Sequence, residues 1–118
     1  MLAQLGYNVL AVDIYGKGIR ADNPKDASEL AGKYKNDRTL LRARANAGLD
    51  VLRKHKLTDP GRIAAIGYCF GGTAVLELAR SGADLSGVVS FHGALDTPNS
   101  NDTNSIRCRV PRTWQPSP

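Results

Sequence analysis

The chain reads Gly67-Tyr68-Cys69-Phe70-Gly71-Gly72 between an apolar run and a helix-forming run. This pattern is typical of a nucleophile elbow, a sharp strand-to-helix turn, with cysteine in place of the usual serine. The elbow requires small residues two positions before and after the nucleophile, where a Cβ would clash with neighbouring backbone. Gly67 and Gly71 occupy these positions, so the stretch predicts a strand, a tight turn and a helix with Cys69 as the nucleophile.

The segments on both sides of the motif alternate between strand and helix patterns. We predict strands at residues 7–12, 62–66 and 87–91, which are short apolar runs bounded by turn residues. The predicted helices cover residues 24–34, 37–55 and 71–80. This alternation predicts an α/β fold with about three parallel strands and right-handed crossover helices.

The two ends of the chain have a different character. Residues 1–5 are predicted to be the last turn of a helix closed by Gly6, so the chain is expected to begin in the middle of an αβ unit. Residues 99–118 are polar and then rich in proline and arginine, without periodicity, and are expected to be disordered. The sequence therefore predicts one partial domain, residues 1–98, followed by a tail.

Charge and composition exclude several functional classes. The 118 residues carry a formal net charge of +5 and 42% hydrophobic residues, as in a globular domain. Much of the excess positive charge comes from Arg107, Arg109 and Arg112 in the tail, so no basic face for nucleic acid is indicated. The two cysteines match no zinc spacing or disulfide framework. Without a signal sequence or membrane-spanning run, the expected location is cytoplasmic.

Two interpretations of Cys69 are open at this point. At the N-terminus of a helix, a thiolate is favoured by the helix dipole, and the backbone N–H of Phe70 would point at the oxyanion of a tetrahedral intermediate. Alternatively, Cys69 is a small buried residue and the glycines only permit a tight turn. The strand before the motif and the helix after it favour the elbow.

The sequence resembles the dienelactone hydrolase family of α/β-hydrolases over about residues 1–98. The resemblance rests on the elbow, on Asp59-Pro60 with Arg62-Ile63, and on Val12-Asp13-Ile14-Tyr15-Gly16. It implies a fragment of an α/β-hydrolase fold and hydrolysis of a small lactone or ester. The mechanism implied is a cysteine nucleophile that forms an acyl-enzyme, within a Cys-Asp-His triad and without a metal or organic cofactor. Only the cysteine maps onto this chain, as Cys69.

The family pattern is interrupted after Ile106. The resemblance implies an apolar strand leading to the catalytic aspartate, but residues 107–114 contain proline and repeated arginine, which a buried strand excludes. We therefore expect a changed reading frame near residue 106. His92 and Asp96 follow the third predicted strand, but the resemblance places them outside the triad. His55 is interpreted as a favourable charge at the end of the long helix.

Substrate contacts are predicted in the loop after the first strand. The resemblance implies that this loop lines the substrate site and that an arginine there helps hold a substrate carboxylate. Tyr15 and Lys17 are the corresponding candidates, with Arg20 as an alternative cation. Lys17 offers a point charge and not a bidentate fork. The interpretation of both cations as solvated loop charges is favoured over a substrate contact.

The resemblance also implies that an interior strand, normally placed between residues 7–12 and 62–67, is not in this chain. The fragment would then be marginally stable and open to self-association through unpaired sheet edges. Three functions are compatible with these patterns. They are a cysteine hydrolase, an inactive remnant or sheet-completing binding partner, and a nucleotide-binding module. The last is disfavoured because no G-x-G-x-x-G follows the first strand.

Overall fold

The computed structural model describes residues 1–108. Its helices are α1 (Pro24–Asn36), α2 (Arg38–Lys54) and α3 (Phe70–Arg80), and its strands are β1 (Ala64–Tyr68) and β2 (Gly87–Phe91). The strands are parallel, and their register runs from Ala64 opposite Gly87 to Tyr68 opposite Phe91. Helix α3 connects them, as expected for a β-α-β unit. The α/β class and the three predicted helices are confirmed.

The helix ends follow from their capping residues. Asn23 accepts a hydrogen bond from the Asp26 N–H at 2.9 Å, and Pro24 occupies the first turn of α1. Asp37 accepts in the same way from the Leu40 N–H at 2.9 Å and so begins α2. At the amino end of the chain, Gly6 closes a short 3-10 turn at Ala3–Leu5 with a φ of 90°, which confirms the predicted helix end.

The core lies between α2, α3 and the sheet. Helix α3 packs against both strands on one side and against α2 on the other. Its surface is apolar over most of its length, as expected of a helix buried on both sides. Leu78 and Ala79 of α3 contact the same buried cluster as Leu49 of α2 and Val88 of β2. This packing fixes the position at which α3 begins, and therefore the position of the turn between β1 and α3.

One carboxylate is buried in this core with three arginines around it. Glu77 of α3 has no exposed side-chain surface; its oxygens accept from Arg38 at 3.1 Å, from Arg42 at 2.7 Å and from Arg80 at 2.7 Å. A buried carboxylate is tolerated only when such hydrogen bonds replace its hydration. The cluster joins the start of α2 to the end of α3.

The prediction of a strand at residues 7–12 is wrong, so the sheet within residues 1–108 has two strands and not three. This segment has no strand pairing, and its apolar side chains are exposed. The physical reason is that a strand is stable only beside a neighbouring backbone, and within residues 1–108 β1 pairs with β2 alone. The segment is held instead by the Asn8 side chain, which donates to Thr58 Oγ1 at 2.7 Å, and by close packing of Val12 on Gly48.

The structure also differs from the sequence-based prediction of disorder in residues 99–108. Ser100–Ser105 forms a 3-10 helix that packs against α3, and Ile106 and Cys108 contact the core cluster. Asp102 binds Arg42 at 2.5 Å, and this hydrogen bond lowers the pKa of the Asp102 carboxyl and raises that of the Arg42 guanidinium. The rest of the predicted tail, residues 109–118, lies outside the described residues.

Candidate active site

Cys69 occupies the turn between β1 and α3, with a φ of 50° and a ψ of −118°. A positive φ is uncommon for a residue with a side chain and indicates strain that the surrounding structure must hold in place. Two backbone hydrogen bonds do so: the Cys69 N–H donates to the Phe91 carbonyl at 2.8 Å, and the Thr73 N–H donates to the Cys69 carbonyl at 3.2 Å. Cys69 is an exposed residue. Cys69 is therefore not buried in the described structure, whereas its role as a nucleophile stays a prediction.

The glycines around Cys69 differ in what they permit. A Cβ on Gly67 would overlap the carbonyl group of Gly71, so glycine is required there, as predicted. A Cβ on Gly71 would meet no described atom within 4 Å. The prediction that position 71 also needs glycine to avoid a clash is therefore wrong, because at this position of α3 the Cβ points into open space. A Cβ on Gly72 would lie 2.7 Å from Ser90 Oγ and 2.9 Å from the Gly93 Cα, so Gly72 lets α3 approach the sheet closely.

Phe70 is the first residue of α3, where backbone N–H groups have no partner within the helix. An anion next to Cys69 would therefore meet the positive end of this helix. The Phe70 ring packs at centroid distances of 5.4 Å from Tyr15 and 6.4 Å from Tyr34. The assignment of the Phe70 N–H as an oxyanion donor stays a prediction.

The structure places Tyr15 beside the elbow. Its ring lies 5.6 Å from Tyr34 as well as next to Phe70, and its backbone carbonyl accepts from the Tyr34 hydroxyl at 3.4 Å. Burial, with a smaller contribution from Tyr34, raises the pKa of the Tyr15 hydroxyl above its ordinary value. Tyr15 is therefore a neutral, half-buried wall of the region next to Cys69. Its contact with a substrate remains a prediction.

The other candidates lie in more open positions. Lys17 is exposed in the loop after Tyr15, and its substrate contact also stays a prediction. The alternative cation, Arg20, lines a shallow hollow on α1 together with Asp26 and Glu29. Asp96 binds Arg38 at 3.0 Å. Asp96 is therefore joined, through Arg38, to the cluster of Glu77 and its three arginines.

The two histidines have different surroundings. His92 directly follows β2, is exposed and has a φ of 57°. His55 ends α2, and its Nδ1 accepts from the Leu57 N–H at 3.2 Å. The interpretation of His55 as a favourable charge at the end of α2 stays a prediction.

Sequence reasoning missed two features of the site region. The first is the aromatic group formed by Tyr15, Tyr34 and Phe70, whose members come from a loop and two helices and share no local spacing. The second is the buried Glu77 cluster, for which the only signals are Arg38 and Arg42 four residues apart and Arg80 three residues after Glu77. Within residues 1–108 there is no group of three or more metal-binding side chains. No helix among them is long and apolar enough to span a membrane.

Comparison with known proteins supplies a family for this geometry. The model of the dienelactone hydrolase family matches residues 1–111. Among solved structures, the protein m3DLH is 45% identical, with a TM-score of 0.86 over 92% of this chain and 45% of its own. The "Dienelactone Hydrolase-like Promiscuous Phospotriesterase P91 from Metagenomic Libraries" is 42% identical, with a TM-score of 0.82. This match also covers 92% of this chain and 45% of the other.

A curated relative, the "Putative carboxymethylenebutenolidase" of Aquifex aeolicus, is 29% identical over 112 residues, or 93% of this chain and 47% of the relative. The chain spans 40–47% of the length of the curated relatives that it matches. The similarity therefore extends over most of this chain and about half of each relative.

Proposed function

The chain belongs to the dienelactone hydrolase family, and on that premise we propose that it hydrolyses a small lactone or carboxylic ester through Cys69. The observation that carries the proposal is the strained backbone of Cys69, at the turn between β1 and α3 with an exposed thiol. Strain of this kind at a position that only a tight turn can hold is typical of a reacting residue. The relatives include a protein named as a carboxymethylenebutenolidase, which supports an ester or lactone substrate.

In the proposed reaction, the Cys69 thiol loses its proton to a base and the sulfur attacks the carbonyl carbon. The carbonyl oxygen becomes an oxyanion beside the Phe70 N–H and the start of α3. The C–O bond of the ester then breaks, the alkoxide takes up a proton, and an acyl group remains on the sulfur. Water attacks this thioester, releases the carboxylic acid and restores the thiol.

Tyr15 and Lys17 are the proposed substrate contacts. Tyr15 packs on Phe70, so an acyl group on Cys69 would lie near its ring. Lys17 supplies a cation for a substrate carboxylate from the same loop. The family's triad also needs a histidine and an aspartate, and neither is assigned within this chain. The proposal therefore includes the claim that this chain alone completes the whole cycle of ester hydrolysis.

Hydrolysis of an activated aryl ester tests the proposal. The chain is expected to release the phenol at a rate that falls to the uncatalysed level in Cys69→Ala. Cys108→Ala is the matched control, because Cys108 is half-buried and burial raises the pKa of its thiol. Equal rates for the chain and for Cys69→Ala would contradict the proposal. An aryl phosphotriester, measured in parallel, shows whether the activity in P91's name extends to this chain.

A second candidate function is association through the open edge of the sheet. Ile66 and Tyr68 of β1 are 49% and 63% exposed, and the apolar side chains of residues 7–12 are exposed as well. An unpaired strand edge beside apolar side chains favours pairing with another chain. Sedimentation at rising concentration is expected to show association, which Ile66→Lys weakens. A monomer at all concentrations, with a cooperative thermal melt, would contradict this function.

The proposed location is the cytoplasm, because a free thiol at Cys69 is maintained by a reducing compartment.

A further inference from the structure

The strand register brings one further residue next to Cys69. Tyr68, the last residue of β1, lies opposite Phe91, the last residue of β2, and their rings are stacked at 4.7 Å. Cys69 and His92 are the residues that directly follow β1 and β2. The Cys69 N–H continues the pairing by donating to the Phe91 carbonyl at 2.8 Å. Adjacent strands are about 5 Å apart, so the two backbones leave the sheet side by side.

The backbone of His92 is turned by the packing that follows it. A φ of 57° at His92 turns the chain back over the start of α3, where Gly93 lies against Gly72 and the Ala94 N–H donates to Thr73 Oγ1 at 3.0 Å. These contacts occupy the side of the turn that faces α3. The His92 side chain is left exposed at the same sheet edge as the Cys69 thiol.

We propose that His92 is a specificity-determining residue, which contacts a molecule bound at Cys69 and favours a hydrogen-bond acceptor in the group held there. The proposal rests on the proposed function for the identity of the site. An imidazole N–H can donate to an oxygen of the bound group, whereas the neighbouring Tyr68 and Phe91 rings offer mainly an apolar surface. The pair of rings and His92 together favour a compact substrate with a hydrogen-bond acceptor next to the attacked carbon.

Alkylation of Cys69 tests this proximity without needing turnover. In a Cys108→Ser background, the Cys69 thiolate displaces iodide from iodoacetate, which is anionic, or from iodoacetamide, which is neutral; the C–S bond forms as the C–I bond breaks. The ratio of the two rates cancels any change in the thiolate fraction. The ratio therefore reports only how charges near Cys69 favour or disfavour the anionic reagent relative to the neutral one.

The reference variant is His92→Asn, because asparagine tolerates a positive φ. Relative to it, His92→Asp is expected to lower the iodoacetate-to-iodoacetamide ratio by about threefold or more, the effect of two unit charges ~6 Å apart in water. His92→Lys is expected to raise the ratio. His55→Asp is the matched control, since His55 precedes β1 and is bound to Leu57, and it should leave the ratio unchanged.

Equal ratios for His92→Asp, His92→Asn and His92→Lys would overturn the proposal. It would also be overturned if His55→Asp lowered the ratio as much as His92→Asp does. Circular dichroism establishes which variants fold; Asp and Lys change the ratio in opposite directions, so either one alone, compared with His92→Asn, decides the matter. Loss of the proposed function would appear separately, as ester hydrolysis that persists in Cys69→Ala. The alkylation ratio does not depend on that result.

Discussion

At the scale of single residues, the strain at Cys69 is maintained by what surrounds it. The backbone can hold a φ of 50° because Gly67 leaves room for the Gly71 carbonyl and because Phe91 accepts the Cys69 N–H. The sequence motif predicted this turn and the need for glycine at position 67. It could not show that Gly71 faces open space, since that depends on how α3 is set against β1.

The two glycines therefore predict opposite effects of the same substitution. Gly67→Ala is expected to lower the free energy of unfolding by about 2 kcal/mol or more, because its Cβ would overlap backbone that cannot move aside cheaply. Gly71→Ala is the matched control and should be neutral or stabilising by up to ~1 kcal/mol, because alanine is the better helix former. Urea unfolding of both variants measures the difference. Similar losses for the two would contradict the structure of the elbow.

At the scale of secondary structure, the elements whose partners are local or strongly patterned were predictable. The apolar spacing and the caps at Asn23 and Asp37 placed α1 and α2 to within about two residues at each end. The segment 7–12 has the composition of a strand but lacks a strand beside it. Composition shows what a segment can form, whereas pairing depends on residues distant in the sequence.

The Glu77 cluster holds α2 to α3, and its removal tests that contact. Glu77→Gln is expected to cost about 3–5 kcal/mol in the free energy of unfolding, since three arginines would lose a buried countercharge. Asp50→Asn is the control, because Asp50 forms an exposed pair with Arg53 at 3.6 Å and should cost less than about 1 kcal/mol. Equal losses of unfolding free energy for the two variants, in thermal or urea unfolding, would show that the Glu77 cluster does not stabilise the contact between α2 and α3.

The contact between Asp102 and Arg42 predicts a dependence on pH. The hydrogen bond from Arg42 holds the pKa of Asp102 below its unfolded value, so this contribution to stability is present above about pH 4 and is lost as the pH falls through the lower, folded pKa. Wild type should therefore be more stable than Asp102→Asn at pH 7, and the difference should vanish at strongly acidic pH. A constant difference across this range of pH would contradict the assignment.

At the scale of the whole molecule, the described chain is one β-α-β unit with two further helices, and it ends its sheet at β1 with apolar side chains exposed. The family resemblance predicted unpaired sheet edges, on the expectation that this chain lacks one interior strand of the family's sheet. It did not predict that residues 99–108 pack on α3, because that packing depends on Arg42 lying within reach of Asp102. The turn that holds Cys69 is complete within residues 1–108, whereas no base for the proposed nucleophile is assigned.

The central claim, that Cys69 is a nucleophile in an acyl-transfer site, is tested most directly by intact-protein mass spectrometry after brief exposure to an activated aryl ester. The account predicts that the chain gains the mass of one acyl group, that peptide mapping places it on Cys69, and that Cys108→Ala acquires it equally. Cys69→Ala should gain none. An unmodified chain, or an acyl group that also forms in Cys69→Ala, would contradict the claim.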